Sequence, residues 1–430
     1  MVLGDNLGLN NVLGFSKSFS AISYCRFCKM TKNICQKSVE ENTELLRNKS
    51  NYENDLSKQD PKSTGITENS IFNSVNKFHV CENYCVDVMH DLLEGLCKND
   101  LVNILSHFID KKIFTLKTLN YKIQCYKYPR NCNKPSIITR ENLKDKKLRM
   151  SAAEMMTFTV HAGLIFGDLI PDDNDEYWEL YKLLRQILVI CLKSKISNSF
   201  SYLLTTLIEE HHSLYLKLFG DLIPKAHFCL HYPHIMRLVG PPRNFWTMRF
   251  EGKHRIFKQA ARTTCNRQNL CLTLASRHQE HLNYAFENGS AFKETFDYKN
   301  LNHTKISEQS LKIISEKISG EFSLVAHIAL GNVMYKINTF IIVRIDELPV
   351  FGCIKNILML NNAKPVKTND FELIVKVYET LGRNEHLQTY VIPRLGQTTI
   401  ELLNFNSIIH YDLPHVPYVN VTSEINIVND

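Results

Sequence analysis

The sequence predicts a mixed α/β chain, a largely helical body followed by a small β-rich domain. Three observations lead there. Apolar residues recur at helical spacing through 151–219 and again through 250–286. Past about residue 320 that period gives way to short β-branched and aromatic runs broken by Gly and Pro. Near residue 87 a strand-like pattern hands over to a helical one.

The chain has 430 residues, enough for two or three packed units. Hydrophobic residues make up 44% and charged residues 22%, a balance that favours a globular core. The net charge of +7 is uneven: residues 321–430 hold 8 Lys+Arg against 11 Asp+Glu, which leaves +10 on residues 1–320. A basic body suits a polyanionic partner, although solubility alone also explains it. The 13 cysteines are odd in number, and several sit singly in apolar stretches, as Cys191 and Cys353 do. Reduced thiols inside the cell fit that usage, with a few held on metal. Met1–Asn10 carries an acid at position 5 and no basic stretch, so it does not read as a secretory signal. No apolar run approaches the roughly 18 residues of a membrane span, so no membrane partner is expected. Lys144, Lys146, Lys147 and Arg149 come nearest to a basic import run.

In chain order, Met1–Gly4 reads as the end of a strand running into Asp5. Short apolar segments over 11–29 lead to Cys25 and Cys28. Residues 36–72 are polar, with one helix expected around Glu40–Asn48 and a solvated loop for the rest. Phe78–Val86 reads as a strand. Val88, Leu92, Leu96, Leu101, Ile104 and Leu105 then form a helical stripe with a break near Asn99. Residues 111–149 are basic, with Phe114, Tyr121, Tyr126 and Tyr128 interleaved. Helices are expected at Ser151–Phe166, Glu176–Leu192, Phe200–Phe219, Phe250–Thr263 and Gln268–Phe286, and a His/Pro-rich stretch covers 224–248. Val333–Ile345 and Phe371–Tyr378 are the clearest strands of the last domain.

Two-metal chemistry on nucleic acids needs several carboxylates converging on a pair of Mg²⁺ or Mn²⁺ ions about 3.5–4 Å apart. Asp5 at a strand end, Asp87 after a later strand and Glu251 on a late helix would suit that geometry. On the Glu251 helix, Arg255, Lys258 and Arg262 fall on the same face. From spacing alone an ordinary helix salt bridge is the simpler account of Glu251.

The strings GDNLGLNNVLGF (Gly4–Phe15) and YCRFCK (Tyr24–Lys29) resemble the first-acid region of CACTA (En/Spm-like) DDE transposases. VDVMHDLLEG (Val86–Gly95) resembles their second-acid motif, an Asp followed two residues later by a His. HYPHIMRLVGPPRNFWTMRFEGKHRIFK (His231–Lys258) is similar to their third-acid block. The motifs run in the family's order across most of residues 1–290. The resemblance implies a ribonuclease-H-like core, a mixed sheet flanked by helices and interrupted by an all-α insertion. Residues 1–110 would form its first part, 111–240 a basic linker and the insertion, 241–290 the final helical part with the third acid, and 320–430 the small β domain. It implies Asp5, Asp87 and Glu251 as a two-metal triad for Mg²⁺ or Mn²⁺, with His90 orienting Asp87 or a substrate phosphate. His90 also reads as a capping or core histidine. The activity implied is strand cleavage at transposon ends and strand transfer into a target, in the nucleus and in a homo-oligomer. The family's DNA-binding segments upstream of the first acid are expected to be missing. The alternative is a domesticated or decayed transposase that binds DNA or proteins without cutting. A zinc hydrolase built on Asp87 and His90 lacks a compact HExxH-type set.

Cys25 and Cys28 have the spacing of a zinc knuckle, and zinc needs four ligands. His227 and His231, four residues apart, would share one helix face. Together they suggest a structural Cys₂His₂ zinc site stapling the insertion to the core. Recombinases of the V(D)J type resemble this in having a His pair shortly before the catalytic Glu, but there the Cys pair follows the second acid. Cys35, His79, Cys81, Cys85 and His234 are rival ligands, and reduced core cysteines with surface histidines are the plain alternative. For DNA contact the expected residues are Arg243, Trp246, Arg249, Lys253, Arg255, Lys258 and Arg262, with the 111–149 stretch in support. A solvated basic face explains either stretch without DNA.

Overall fold

Several helices of the first 260 residues begin where the sequence supplies a cap. Ser151 and Glu154 form a reciprocal capping box at the start of Ala152–Phe166. The Asp175 carboxylate accepts from the backbone N–H groups of Tyr177 and Trp178 to start Glu176–Leu192. These helices, Phe200–Phe219 and Cys97–Asp110 pack on one another around Phe158, Phe166, Trp178, Tyr181 and Leu184, all buried. Trp178 stacks on Tyr181 at 4.5 Å and meets Phe166 edge-on at 5.6 Å.

The computed structural model describes residues 1–129, 132–265, 268–289, 296–301, 306–331, 333–360, 366–393, 398–408 and 424–427. Residues 130–131 of the basic stretch, and 409–423 and 428–430 of the expected β domain, lie outside the described residues. The chain is mixed α/β and divides into two units, Met1–Gln259 and Ala260–Asp430, with the division inside the helix Met248–Thr263.

The first unit departs from expectation in its strands. Among the described residues its β pairing is confined to isolated bridges, Val2 with Tyr84 (parallel), Phe15 with Ile66 and Cys28 with Leu46 (both antiparallel). Phe78–Val86 is therefore no strand; it turns at His79–Asn83, where Glu82 and Asn83 N–H groups both donate to the His79 carbonyl. Its aromatic and apolar residues are buried by packing rather than by a ladder. The helix expected at Glu40–Asn48 is a short 3₁₀ turn, Thr43–Leu45, and the α-helix starts later, at Lys49–Ser57, capped by Asn48.

The broken stripe after Asp87 has a structural reason. Met89–Leu96 is a π-helical stretch that runs on into the α-helix Cys97–Asp110. Its wider turn changes the spacing of inward residues, so one period cannot fit both parts. Gly95 lies close against the helix Pro224–Cys229: a Cβ there would sit 2.7 Å from Lys225 Cδ.

The second unit carries an antiparallel sheet. Its strands are β1 (Phe296–Asn300), β2 (Ser323–Leu330), β3 (Val333–Lys336), β4 (Phe340–Ile345), β5 (Pro349–Met359), β6 (Phe371–Tyr378), β7 (Gly382–Asn384), β8 (Thr389–Pro393), β9 (Thr399–Asn404) and β10 (Glu424–Ile427). The order is β1-β2-β5-β6-β9, with β3 on β2 and β4 on β5; β10-β8-β7 form a smaller sheet. The expected strand Val333–Ile345 is split into β3 and β4 by a turn at Asn338, whose φ is 64°. Strands β5 and β6 are buried on both faces: Ile354, Ile357, Leu373 and Val375 lie on one side, and the helix Glu308–Lys317 brings Ile314 onto Leu358 and Ile374 on the other.

Leu184→Ala removes a fully buried side chain from the helical core. We expect it to cost about 2–5 kcal/mol. The two tryptophans, Trp178 and Trp246, both lie in the first unit, so the lowered urea midpoint is read from their fluorescence.

Candidate functional site

Cys25, Cys28, His227 and His231 come together in the first unit. Their ligand atoms all lie within 4.8 Å of one another, and the residues are 1%, 1%, 0% and 2% exposed. Cys25 Sγ is 3.6 Å from His231 Nε2, and Cys28 Sγ is 3.2 Å from His227 Nε2. Among the described residues this is the one group of three or more such side chains that could hold a metal ion. The rival ligands Cys35, His79, Cys81, Cys85 and His234 are not among this group. Cys35 bonds the Met30 carbonyl, His79 Nδ1 accepts from Cys81 N–H, and His234 stands 3.9 Å from Glu41.

The surroundings build the knuckle. Arg26 and Phe27, between the cysteines, are buried. The Arg26 guanidinium donates to Asn6 Oδ1 (2.7 Å) and the Cys85 carbonyl (3.1 Å). Phe27 packs on Tyr84, Phe228 and His231. Arg47 Nε donates to the carbonyls of both Cys25 (3.2 Å) and Cys28 (3.1 Å), and its Nη2 to that of Thr64 (2.7 Å). Arg47 comes from the stretch expected to be the helix Glu40–Asn48; instead it follows the short turn Thr43–Leu45, is buried and pins the knuckle. His227 closes toward the end of the helix Pro224–Cys229, and His231 precedes the helix Tyr232–Val239. The chain bends between them, yet both rings face the cysteines, their centroids 5.1 Å apart. Burial lowers the His231 imidazole and so keeps it neutral, while burial pushes the Cys25 thiol up. A bound cation would reverse the second effect by displacing the proton.

The acids form a looser group. Asp87 is buried and accepts four hydrogen bonds: from Met89 N (3.2 Å) and Thr247 N (3.0 Å) on Oδ1, and from His90 Nδ1 (2.6 Å) and Thr247 Oγ1 (2.6 Å) on Oδ2. Burial alone would raise this carboxyl, but the bonds from His90 and Thr247 outweigh it and hold it below its ordinary value. The same bond raises the His90 imidazole, against the opposing effect of burial. On its other side His90 Nε2 lies 3.7 Å from Glu251 Oε1, a half-exposed carboxylate. Asp87, His90 and Glu251 thus lie in one chain of contacts, with Thr247 the link that sequence reading missed.

Asp5 is placed differently. It is exposed and caps the helix Asn6–Val12, its Oδ1 accepting from Gly8 N at 2.8 Å. Its neighbour Asn6 bonds the buried Asp91, which also accepts from Tyr232 (3.1 Å). Burial pushes Asp91 up to about 6, with Arg26 pulling the other way.

The residues expected at DNA divide in two. Arg249, Lys253, Arg255, Lys258 and Arg262 are exposed along the helix Met248–Thr263, none of whose residues is buried. Trp246 is buried, and Arg243 lies over its ring at 5.8 Å while donating to the Leu192 carbonyl at 2.7 Å. Both are thus engaged in packing the 3₁₀ turn Pro242–Phe245 against the helix Glu176–Leu192.

Thr247→Val would leave buried Asp87 Oδ2 one donor short. We expect about 1–3 kcal/mol of destabilisation in thermal or urea melts. Thr247→Ser keeps the hydroxyl and should melt close to the wild type.

Against known proteins, the chain matches no protein-family model, and a search of curated proteins returns no match.

Proposed function

We propose that the chain is a transposase-derived DNA nuclease of the CACTA (En/Spm-like) kind, with Asp5, Asp87 and Glu251 as its acids. The observation that carries this reading is the tie between segments 160 residues apart: Thr247 donates twice to Asp87, and Glu251 reaches His90. The second- and third-acid motifs thus meet in one place, while Asp5 caps a helix of its own. A second support is register. The parallel bridge pairs Val2 with Tyr84, so Asp5 and Asp87 each follow a bridged residue by three positions. It is a single bridge, with no ladder extending from it among the described residues.

The acids do not form a ready site for two ions. Asp87 has each oxygen engaged by two donors, and Asp5 caps its helix. A carboxylate offers about four lone-pair positions, so an ion at Asp87 has to displace a donor. Mg²⁺ or Mn²⁺ in such a site would activate a water or 3′-hydroxyl and stabilise the leaving oxygen. The exposed cations of the Met248–Thr263 helix would neutralise the DNA backbone. In this reading the protein works in the nucleus as a homo-oligomer on transposon ends and target DNA.

The Cys₂His₂ group fits structural zinc. Tetrahedral zinc with bonds of about 2.3 Å to sulfur and 2.0–2.1 Å to nitrogen spaces those ligands about 3.5 Å apart. The two Sγ–Nε2 distances, 3.6 and 3.2 Å, bracket that value. Zinc there would join the Cys25–Cys28 turn to a segment 200 residues later, as a staple rather than a catalyst.

The second reading, a decayed transposase that binds DNA or proteins without cutting, is favoured by the capping role of Asp5 and the saturated Asp87. Nicking separates the two. The nuclease reading expects Mg²⁺- or Mn²⁺-dependent nicking of DNA bearing the element's terminal repeats, lost by at least a hundredfold in Asp87→Ala. Binding without nicking in the wild type would establish the second reading, and nicking that survives Asp87→Ala would remove the proposed acids. For zinc, we expect one ion per chain by elemental analysis of the purified protein and its loss in Cys28→Ser.

A further inference from the structure

His227 and His231 differ in what stands behind them. His231 Nδ1 lies 2.6 Å from Glu41 Oε1, whereas His227 Nδ1 is buried with no hydrogen-bond partner. Glu41 is itself mostly covered, its side chain 13% exposed, and its other oxygen faces His234 Nδ1 at 3.9 Å. It is held there by the chain on both sides. Upstream, Lys37 Nζ donates to the Gly220 carbonyl (2.9 Å) and pairs with Asp221 (2.8 Å), and Leu222 N–H donates to the Gln36 carbonyl (3.0 Å). Downstream, Lys29 N–H donates to the Leu45 carbonyl and Arg47 N–H to the Phe27 carbonyl across the knuckle. Glu41 thus stands behind His231 in a segment tied down at residues 36–37 and 45–47.

We infer that Glu41 is a positioning residue for the metal ion, the carboxylate that fixes His231 as the Nδ1–H tautomer with its Nε2 lone pair turned to the ion and to Cys25. The chemistry is general. An imidazole that binds through one nitrogen carries its proton on the other, and a carboxylate accepting that proton fixes the ring and makes it a better donor. Here the geometry leaves Nε2, not Nδ1, beside Cys25 Sγ. A neutral site of one divalent ion and two thiolates also gains from a nearby negative charge that retains the cation. His227 has no such support, so the two imidazoles are unequal ligands, and the His231 side sets how tightly the ion is held. The inference rests on the zinc reading and adds to it a residue outside the ligand set.

The test is zinc affinity of the full-length chain, measured by competition with a chromophoric chelator. Wild type, Glu41→Gln and Glu41→Ala are compared. We expect Glu41→Ala to bind about 10–100-fold more weakly. Glu41→Gln keeps an acceptor for Nδ1–H and should fall between the two. In the cobalt-substituted protein, the visible bands of Glu41→Ala should shift while those of Glu41→Gln stay near the wild type. Equal zinc affinity in wild type and Glu41→Ala overturns the inference, and so does an equal loss in both variants together with their unfolding. A measurement on the wild type needs no variant: ¹⁵N chemical shifts of the zinc-loaded protein should show His231 protonated at Nδ1 and metal-bound at Nε2. The reverse pattern overturns the inference while leaving zinc in place. A wild type that takes up no zinc overturns the zinc reading itself, and this inference with it.

Discussion

The first unit depends on a constraint that hydrophobic burial alone does not meet: four polar, ligand-bearing side chains sit together in its interior. Cys25 and Cys28 arrive on an early turn and His227 and His231 on a late helical bend, and all four are excluded from water. Buried polar atoms are costly unless satisfied. The fold responds by spending other polar groups on the turn. Arg47 donates to the carbonyls of both cysteines, and Arg26 reaches Asn6 and Cys85 from between them. Each guanidinium is itself buried and stacked on an aromatic ring, Arg26 over Phe27 at 4.3 Å and Arg47 over Phe15 at 5.4 Å. The segment beginning at Met1 and the one ending near Val239 are joined through this point.

How much of this could be read beforehand follows from the range of the interactions involved. Helices with a steady period were legible: Glu176–Leu192, capped by Asp175, and Phe200–Phe219 have the bounds their apolar spacing indicates, and Phe371–Tyr378 is a strand as its alternation suggests. The strand at Phe78–Val86 was misread because burial in an irregular segment selects the same aromatic and β-branched residues as burial in a sheet. The π-helical stretch Met89–Leu96 was legible only as a broken period. In the site, the CxxC spacing and the His pair were local signals, and the structure brings those four residues together. Glu41, Arg47 and Thr247 gave no signal, because their roles come from partners far away along the chain: His231, the cysteine carbonyls and Asp87.

The DNA-facing residues illustrate a different limit. A run of cations with a tryptophan reads as one basic surface in the sequence, yet burial sorts it. Arg243 and Trp246 belong to the packing before the helix, and Arg249 onward are exposed on it. The switch falls at Thr247, whose backbone N–H and hydroxyl both end on Asp87. Just before that anchor Arg243 and Trp246 are held against the core, while the helix beyond it has no buried residue.

That anchor also explains why Asp87 and Glu251 meet only through His90. A helix with no buried face derives little stability from its own sixteen residues and relies on its ends and on what it meets. At its start, Thr247 takes up the lone pairs of Asp87 that an ion would need. Securing the Glu251 helix and freeing the Asp87 carboxylate are therefore competing demands on one side chain. In the nuclease reading, DNA laid along the exposed cations Arg249, Lys253, Arg255, Lys258 and Arg262 supplies the missing face, and Asp87 no longer has to hold the helix alone. In the non-catalytic reading the same bonds are permanent. Both start from the same four hydrogen bonds at Asp87, so the difference between them lies in whether bound DNA releases Thr247.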